Sequence, residues 1–414
     1  MEENKANTAE KSLKLPFYAA YTPENPKQGM AKGSIIVNTD LKTNSATDII
    51  PYWADENGIL PDYTNLYKFE ITGRCTIFEI DSNVIIPKEA TKMLLFAYDY
   101  FSGETTEDYI EIELPKNRAD ISGSGDIITE FQVISDTHIV ESGGWNDSYP
   151  RLLKDIVKVS PNSKGVFING DVTNSGEDAQ YEKFMELHSS VSKAPDYYIA
   201  VGNHEFYNGG VAAQKEIEAR FVSFARLPDR TAPKSQHYDF WIKGYHYIIL
   251  GNDGITPDLL SATFKDETLC WLRKKLAENR NEKRPTFVFL HQPIRDTVAG
   301  SFGEGAGLFT GVWGENAEKL TAVLKDFPEV ILFSSHQHIE LSHPRNIHKR
   351  NGRLPTILNT SSAAQATPII RGVKNKISGS EGYYIYVYKD KVIARGRDFA
   401  KQKWLPSAQF YIEI

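Results

Sequence analysis

The sequence contains very little cysteine. Cys75 and Cys270 are the two cysteines among 414 residues, and they lie far apart in the chain. We therefore place them in different domains and expect two unpaired structural thiols, rather than a disulfide or a metal site. Disulfide bonds are not expected to hold this fold together.

The sequence also lacks a long hydrophobic run. No apolar stretch approaches the roughly 20 residues that a helix needs to cross a bilayer, so no transmembrane segment is expected. The N-terminal stretch MEENKANTAEKS is polar and has no apolar signal segment. As written, the chain is expected to be cytoplasmic. An extracytoplasmic location stays open, because a chain trimmed of its signal segment would look the same.

Positive charge is in the minority, with 47 Lys and Arg against 54 Asp and Glu and a net charge of −7. This balance argues against a nucleic-acid-binding face. The hydrophobic content of 41% and the charged content of 24% are those of a soluble globular protein. The length predicts two domains rather than one.

Residues 16–115 have the composition of a β domain. Short runs such as GSIIVN, CTIFEI and DYIEIELP are rich in β-branched and aromatic residues, and several alternate apolar with polar positions. This pattern predicts an all-β sandwich of immunoglobulin or fibronectin type. Residues 1–15 are predicted to be a polar tail, and the Ser-Gly-rich residues 116–126 a linker.

Residues 127–414 alternate strand-like and helix-like runs, which is typical of βαβ units. The periodicity predicts helices at 149–159, 179–191, 214–224, 269–280 and 317–324. It predicts strands at 127–135, 165–170, 197–201, 285–290 and 330–334, a strand pair within 237–253, and further β structure at 383–395 and 409–412.

Five polar motifs follow five of these strands, and they contain five of the ten histidines of the chain. The motifs are DTH at 136–138, GDVTN at 170–174, GNHE at 202–205, LHQ at 290–292 and SHQH at 335–338. Each motif alone has an ordinary interpretation as a helix cap, a turn or a polar loop. Their combination at strand ends, where open α/β sheets bind ligands, favours one shared site.

The residue types in these motifs suit metal ions. Carboxylate oxygen, amide oxygen and imidazole nitrogen fit Mn²⁺, Fe, Zn²⁺ or Ni²⁺ better than Ca²⁺ or Cu⁺. The absence of cysteine argues against a structural zinc site. The donors are too many for one ion and about right for two, with Asp171 as the bridging ligand.

The ordered set of motifs resembles the calcineurin-like metallophosphoesterase family, over about residues 127–397. The resemblance implies a four-layer α-β-β-α domain and two metal ions, Mn²⁺, Fe²⁺/Fe³⁺ or Zn²⁺. One ion would be held by Asp136, His138 and His338, with Asp171 bridging, and the second would be completed by Asn203, His291 and His336. His204 would bind no metal and would act as general acid.

The chain departs from the family pattern at two positions. Ser335 stands where the family usually has glycine before the His-x-His pair. Asn174 stands where purple acid phosphatases have a tyrosine ligand, so an Fe³⁺–phenolate centre is not expected, although the N-terminal sandwich resembles the domain that precedes their catalytic part. Other branches have Asp or Asn there, which implies that Asn174 orients the catalytic histidine.

The function expected from the resemblance is hydrolysis of a phosphoester, as a phosphodiesterase or phosphatase on a small or nucleotide-like substrate. Metal-activated hydroxide would attack phosphorus, and His204 would protonate the leaving group. Arg295 and Tyr207 are candidate substrate contacts by position. Each also has an ordinary interpretation, Arg295 as a surface cation and Tyr207 as a packing residue.

A second class of function stays open. The chain could be a cell-surface protein whose N-terminal sandwich binds a glycan or a partner, with a degenerate phosphoesterase domain behind it. A sandwich that only shields the active site is a third possibility. Metal content distinguishes an active phosphoesterase from a binding protein with a degenerate phosphoesterase domain, because an intact dinuclear site holds about two ions per chain. The oligomeric state is not predicted.

Overall fold

The structure is a computed structural model that describes residues 11–25, 29–80, 84–116, 121, 125–256, 260–281, 283–302, 311–370, 373–374, 376–377 and 379–414. Residues 1–10 of the predicted tail and most of the predicted linker lie outside these ranges. The chain divides into two units. One comprises Met1–Ser124 with Lys403–Tyr411, and the other Gly125–Gln402 with Ile412–Ile414.

The first unit is built from antiparallel strands with alternating burial. In the run CTIFEI, for example, Thr76, Phe78 and Ile80 are buried while the residues between them are exposed. The strands are β1 Tyr18–Pro23, β2 Gly33–Asn38, β3 Asp48–Asp55, β4 Gly58–Ile59, β5 Phe69–Glu70, β6 Cys75–Ile80, β7 Lys92–Tyr98 and β8 Ile110–Glu113.

These strands form two sheets. One has the order β1-β2-β6, and the other has the order β4-β3-β7-β8 with β5 also paired to β3. Their inward side chains share a hydrophobic core that includes Val37, Trp53 and Leu95. The predicted all-β sandwich is confirmed.

The second unit alternates strands and helices. Its helices are α1 Ser148–Val159, α2 Asp178–Ser189, α3 Gln214–Phe224, α4 Asp266–Ala277 and α5 Gly314–Leu324. Short 3₁₀ turns cover His204–Phe206 and Gly210–Ala213.

The strands of this unit continue the numbering. They are β9 Thr129–Ile134, β10 Val166–Asn169, β11 Tyr197–Ala200, β12 Tyr238–Ile242, β13 Tyr245–Ile249, β14 Gly254–Ile255, β15 Ala262–Thr263, β16 Thr286–Phe289, β17 Val330–Ser334, β18 Ile347–His348, β19 Thr356–Asn359, β20 Ile369–Ile370, β21 Val373–Lys374, β22 Glu381–Val387 and β23 Lys391–Asp398. The last strand of the chain, β24, spans Lys403–Glu413.

Both large sheets contain a run of neighbouring parallel strands. In the first sheet β11, β10 and β9 are parallel neighbours, and β22 and β23 follow in antiparallel orientation. The second sheet has the order β12-β13-β16-β17-β19-β18, with β13, β16, β17 and β19 parallel. Strands such as β10 and β17 are buried along their whole length, as expected where both faces of a sheet are covered.

Aromatic side chains fill the space between these two sheets. The Phe131 ring on β9 lies 5.3 Å from Tyr247 and 4.9 Å from Phe287 of the opposite sheet. Phe167 on β10 stacks on Phe289 of β16 at 4.4 Å. Such pairs add to the free energy of burying the rings themselves.

Helices cover the outer faces of this pair of sheets. Leu272 of α4 and Leu324 of α5 share one core cluster with Leu332 of β17. On the other side, Asp155 of α1 bonds to residues of the first sheet. The predicted α-β-β-α arrangement is confirmed.

The secondary-structure predictions differ from the structure mainly at element ends. Helix α3 begins and ends where the periodicity predicts. Helix α4 begins three residues earlier, because Asp266 and Glu267 occupy its first turn, where the helix dipole favours acidic side chains. Strand β19, with the sequence TILN, has no counterpart among the predictions.

Cys75 in the first unit and Cys270 in the second are both free thiols. Within the described ranges, no helix combines the length and the apolarity that crossing a membrane requires.

A buried ion pair joins α1 to the first sheet. The Arg397 guanidinium donates two hydrogen bonds to the Asp155 carboxylate, at 2.7 and 2.9 Å, and the Tyr384 hydroxyl donates a third at 2.9 Å. The Asp155 side chain is fully buried and that of Arg397 is 7% exposed. Removing one partner of such a pair leaves an uncompensated charge in the interior.

Asp155→Ala is expected to lower the free energy of unfolding by about 3–5 kcal/mol, because buried Arg397 would lose the carboxylate that accepts two of its hydrogen bonds. Urea denaturation measures the change. The matched control is Asp326→Ala, which breaks a pair with Arg273 whose side chains are about half exposed, and we expect that loss to stay below about 1 kcal/mol. Equal losses in the two variants would contradict this ranking.

Candidate metal centre

The five motifs lie at the carboxyl ends of five strands. Residues 136–138 follow β9, 170–174 follow β10 and 202–205 follow β11, and these strands are neighbours in the first sheet. Residues 291–292 follow β16, and 335–338 follow β17 in the second sheet. Because all five strands belong to parallel sets, the polar residues collect at one edge of each sheet.

The predicted ligands meet in two overlapping groups. Asp136, His138, Asp171 and His338 present ligand atoms that lie within 4.8 Å of one another. Asp171, His291 and His336 form a second group by the same measure. The Asn203 Oδ1 atom joins the second group, at 3.3 Å from His291 Nε2. Asp171 alone belongs to both, which is the position a bridging ligand requires.

The donor atoms of the first group are packed closely. His138 Nε2 and His338 Nε2 are 3.0 Å apart, and His338 Nε2 is 2.9 Å from Asp136 Oδ1. A hydrogen bond between the two imidazoles requires that one of the facing nitrogens carry no proton. A cation held between the two rings requires that neither facing nitrogen carry a proton. Burial lowers the pKa of His138 to about 3, which keeps its ring neutral and able to bind a metal.

In the second group, His291 is held by a backbone contact. Its Nδ1 donates to the Asn169 carbonyl oxygen at 2.7 Å, so Nε2 faces Asp171 Oδ2 at 3.1 Å. A carbonyl oxygen that accepts from the ring nitrogen facing away from the metal fixes the tautomer of a metal-binding histidine. Burial acts to lower the pKa of His291, but the Asp171 and Asp136 carboxylates outweigh it and raise that pKa to about 9.

Two negative charges lie deep in the site. Asp136 is 0% exposed and Asp171 is 1% exposed. Burial alone would raise the pKa of each carboxyl group, but neighbouring imidazoles reverse the shift. His338 and His291 hold the pKa of Asp136 well below its usual value, and His291 and His204 do the same for Asp171. Both carboxylates are therefore charged.

The donor set fits two transition-metal ions. It offers carboxylate, amide and imidazole donors without sulfur, and burial lowers the pKa of His336 to about 3, so this ring also is neutral. Closely packed neutral imidazoles beside charged carboxylates are the combination that Mn²⁺, Fe or Zn²⁺ binds. The residues present therefore fit the dinuclear centre that the motifs predict.

Most of these ligands sit on unusual backbone. The φ angles are 53° at Asp136, 44° at His138, 49° at Asp171, 71° at His336 and 57° at His338. Residues other than glycine rarely adopt this left-handed conformation, and it costs free energy. The backbone bonds from Asp136 N to Gly170 O and from His138 N to Asp171 O hold these turns in place. Strain concentrated at one site supports a functional role.

Glu205 ends the GNHE motif, and the sequence pattern predicts no role for it. Its buried carboxylate accepts hydrogen bonds from Asp171 N, Gly202 N and both the amide and hydroxyl of Thr173, at 2.8–3.1 Å. It thereby ties the Asp171 turn to the turn before Asn203. The signal available in the sequence was a carboxylate directly beside two predicted site residues.

The structure places His204 beside the ligands but with more exposure. Its amide N donates to Asp171 Oδ1 at 2.9 Å, its Nε2 is 3.9 Å from Asp171 Oδ2, and its side chain is 21% exposed. The Nδ1 atom donates to the backbone carbonyl of Asn174 at 2.7 Å. This observed contact uses the main chain of Asn174, so every residue type at 174 offers it.

The two candidate substrate contacts lie in different surroundings. The Tyr207 ring packs on His204 at a centroid distance of 4.2 Å, and its hydroxyl accepts a hydrogen bond from Asn203 Nδ2 at 3.0 Å. Arg295 is more than half exposed, with Nε 3.7 Å from the carboxylate of its neighbour Asp296. Tyr207 thus borders the candidate site, and substrate contact by either residue stays a prediction.

Comparison with known proteins is consistent with this geometry. A family model described as calcineurin-like phosphoesterase matches residues 130–340. A probable glycerophosphodiester phosphodiesterase, GpdQ, of Arcobacter nitrofigilis is 24% identical over 167 residues. That alignment covers 39% of this chain and 55% of the relative, so the match spans about half of the relative's length.

Among solved structures, the purple acid phosphatase PPD1 from yellow lupin (Lupinus luteus) seeds is similar in fold. The TM-score is 0.50 with 12% sequence identity, over 96% of this chain and 74% of that chain. At this identity the likeness concerns the fold alone.

Gly202→Ala is expected to lose most of the bound metal, because an added Cβ would lie 2.1 Å from Asp171 Oδ1 and 2.4 Å from Asp171 N. The carboxylate would have to move out of both ligand groups. Elemental analysis of purified protein measures the metal content. Gly379→Ala is the control, since its Cβ meets Asp398 only at an ordinary 3.5 Å. Wild-type metal content in Gly202→Ala would contradict the position assigned to Asp171.

Proposed function

Because the chain belongs to the calcineurin-like phosphoesterase family, we propose that it is a dinuclear-metal-dependent phosphoester hydrolase acting on a small or nucleotide-like substrate. The observation that carries the proposal is the position of Asp171 in both ligand groups. A carboxylate shared between two sets of imidazole and carboxylate donors is the arrangement that places two cations side by side.

Each of the two proposed cation sites draws its donors from both large sheets. Asp136, His138 and His338 would hold the first ion, and Asn203, His291 and His336 the second, with Asp171 shared. When bound, the two ions supply Lewis acidity, which lowers the pKa of a water molecule and offsets negative charge on the phosphoryl oxygens. Mn²⁺, Fe²⁺/Fe³⁺ and Zn²⁺ all suit these donors.

His204 is proposed as the general acid. Its Nδ1–H stays bonded to the Asn174 carbonyl, so Nε2 is the nitrogen that can give a proton to the leaving oxygen. This Nε2 atom lies 3.9 Å from Asp171 Oδ2, beside the proposed cation sites. The partial exposure of His204, in contrast to the fully buried His291, leaves room for a substrate to reach it.

The substrate is proposed to be a small phosphodiester or phosphomonoester. The name of the Arcobacter relative supports a diester. Tyr207 is 37% exposed and lies against the His204 ring, which suits packing against the leaving group. Arg295 is proposed as a contact of a substrate oxygen, because its guanidinium is suited to phosphate by charge and shape.

Asp171→Ala is expected to abolish both turnover and metal uptake, since it removes the donor common to both groups. Metal analysis and hydrolysis of a chromogenic diester and monoester with added Mn²⁺ measure the two effects. Asp326→Ala removes a half-exposed carboxylate elsewhere and should change neither. Wild-type activity in Asp171→Ala would refute the proposed function, as would metal-free wild-type protein after Mn²⁺ loading.

His204→Ala is expected to lower kcat by about 10²–10⁴-fold and to leave the metal content unchanged, because a proton donor is lost but no ligand. The loss should be larger for substrates with a poor leaving group, which depend more on protonation. Rates across esters of graded leaving-group pKa test this. His348→Ala, on the edge strand β18, is the matched control. Loss of metal from His204→Ala would show that His204 is itself a ligand.

A further inference from the structure

Ser335 is a buried residue directly before the His336–His338 turn. It is 1% exposed, and its backbone is fixed on both sides. Its amide donates to the His291 carbonyl oxygen, and its carbonyl accepts from Gln337 N, each at 2.8 Å. The side chain of Ser335 is therefore held between the loops that follow β16 and β17.

The Ser335 hydroxyl reaches two acceptors. One is the Asp136 Oδ2 atom, and the other is the Ser361 carbonyl oxygen at 2.8 Å. A hydroxyl has one proton to donate, and a charged carboxylate is the stronger acceptor of the two. The bond to Asp136 is therefore the dominant one.

This bond makes the two oxygens of Asp136 different. Oδ2 is engaged by Ser335, while Oδ1 faces the site, 2.9 Å from His338 Nε2 and 3.8 Å from His138 Nε2. The backbone of Asp136 is held as well, since its carbonyl accepts from the Ser362 hydroxyl at 3.0 Å. The carboxylate cannot rotate about its last bond without breaking the contact with Ser335.

We propose that Ser335 is a positioning residue for the first cation site: its hydroxyl holds one oxygen of Asp136 so that the other is presented to the metal. The inference rests on the proposed dinuclear function. A glycine, the residue that the family usually has here, offers no hydroxyl. This chain therefore fixes Asp136 with a contact that such a glycine cannot make.

The neighbouring Ser334 provides a natural comparison. It is the same residue type and is 0% exposed. In the part of the chain that the structure describes, however, its hydroxyl has no hydrogen-bond partner. Removing the two hydroxyls one at a time thus separates the loss of a contact to Asp136 from the general effect of changing a buried serine at the end of β17.

The test is direct binding of Mn²⁺ to the full-length apo-protein by calorimetry. We expect Ser335→Ala to weaken one of the two sites by about 10–100-fold and to leave the other within about twofold, as is typical when a metal ligand loses its hydrogen-bond partner. Ser334→Ala should keep both sites within about twofold of the wild type, and Ser335→Thr, which keeps a hydroxyl, should retain most of the affinity. Excess Mn²⁺ should restore kcat in Ser335→Ala without a change in KM.

The outcomes separate this inference from the function on which it rests. If wild-type protein binds two Mn²⁺ ions and Ser335→Ala binds both equally well, the positioning role is wrong and the proposed function stands. If wild-type protein binds none, both are wrong. Ser335→Gly carries the same expectation as Ser335→Ala, so the result does not depend on one variant folding. Equal weakening by Ser334→Ala would also overturn the proposal.

Discussion

Two buried negative charges constrain the architecture of the second unit. Asp136 and Asp171 have almost no contact with solvent, and isolated carboxylates in such a place would be very costly. Each is compensated by imidazoles that converge on it from other strands, with His291 and His338 the nearest. Because these imidazoles belong to segments far apart in the chain, the carboxyl-terminal edges of the two sheets must be held in fixed positions relative to each other.

Asn169 and Glu205 help to hold these edges in place, although neither is one of the predicted ligands. Asn169, the last residue of β10, donates through Nδ2 to the carbonyls of Leu290 and Phe333 at 3.1 Å each, and so ties the first sheet to two strands of the second. The Glu205 carboxylate accepts hydrogen bonds from the backbone amides of Asp171 and Gly202 in the neighbouring turns. Because each of these two residues bonds to two separate segments, the turns that carry the predicted ligands are fixed relative to one another.

In the left-handed turns, hydrogen bonds from other segments offset the free energy that the unfavourable backbone conformation costs. Five ligands adopt positive φ, a conformation that none of them prefers in isolation. Bonds such as His138 N to Asp171 O come from neighbouring strands and stabilise the turns. His204 lies beside these turns, where its ring is bonded to the Asn174 backbone carbonyl and is partly exposed to solvent. A rigid, buried set of donors thus lies beside one accessible imidazole.

Much of the candidate site was predictable from the order of residues in the chain. The apolar residues Val166, Phe167 and Ile168, followed by Gly170 and Asp171, are one of five such strand ends. They predicted which side chains would converge, because parallel strands present their carboxyl ends at one edge. The helix at Gln214–Phe224 followed from its period alone. Short strands such as Thr356–Asn359 were missed, because their place in the sheet depends on pairing with strands such as Val330–Ser334.

The sequence by itself therefore determined the order of elements, the sandwich ahead of the α/β unit and the identity of the candidate ligands, since these depend on patterns local in the chain. Only the tertiary structure decided that Lys403–Tyr411 groups with the first unit, that Asn174 meets His204 through its backbone, and that Ser335 bonds to Asp136. The last of these contacts joins residues about 200 positions apart. Such pairings are set by the packing of the two sheets, and no local pattern encodes them.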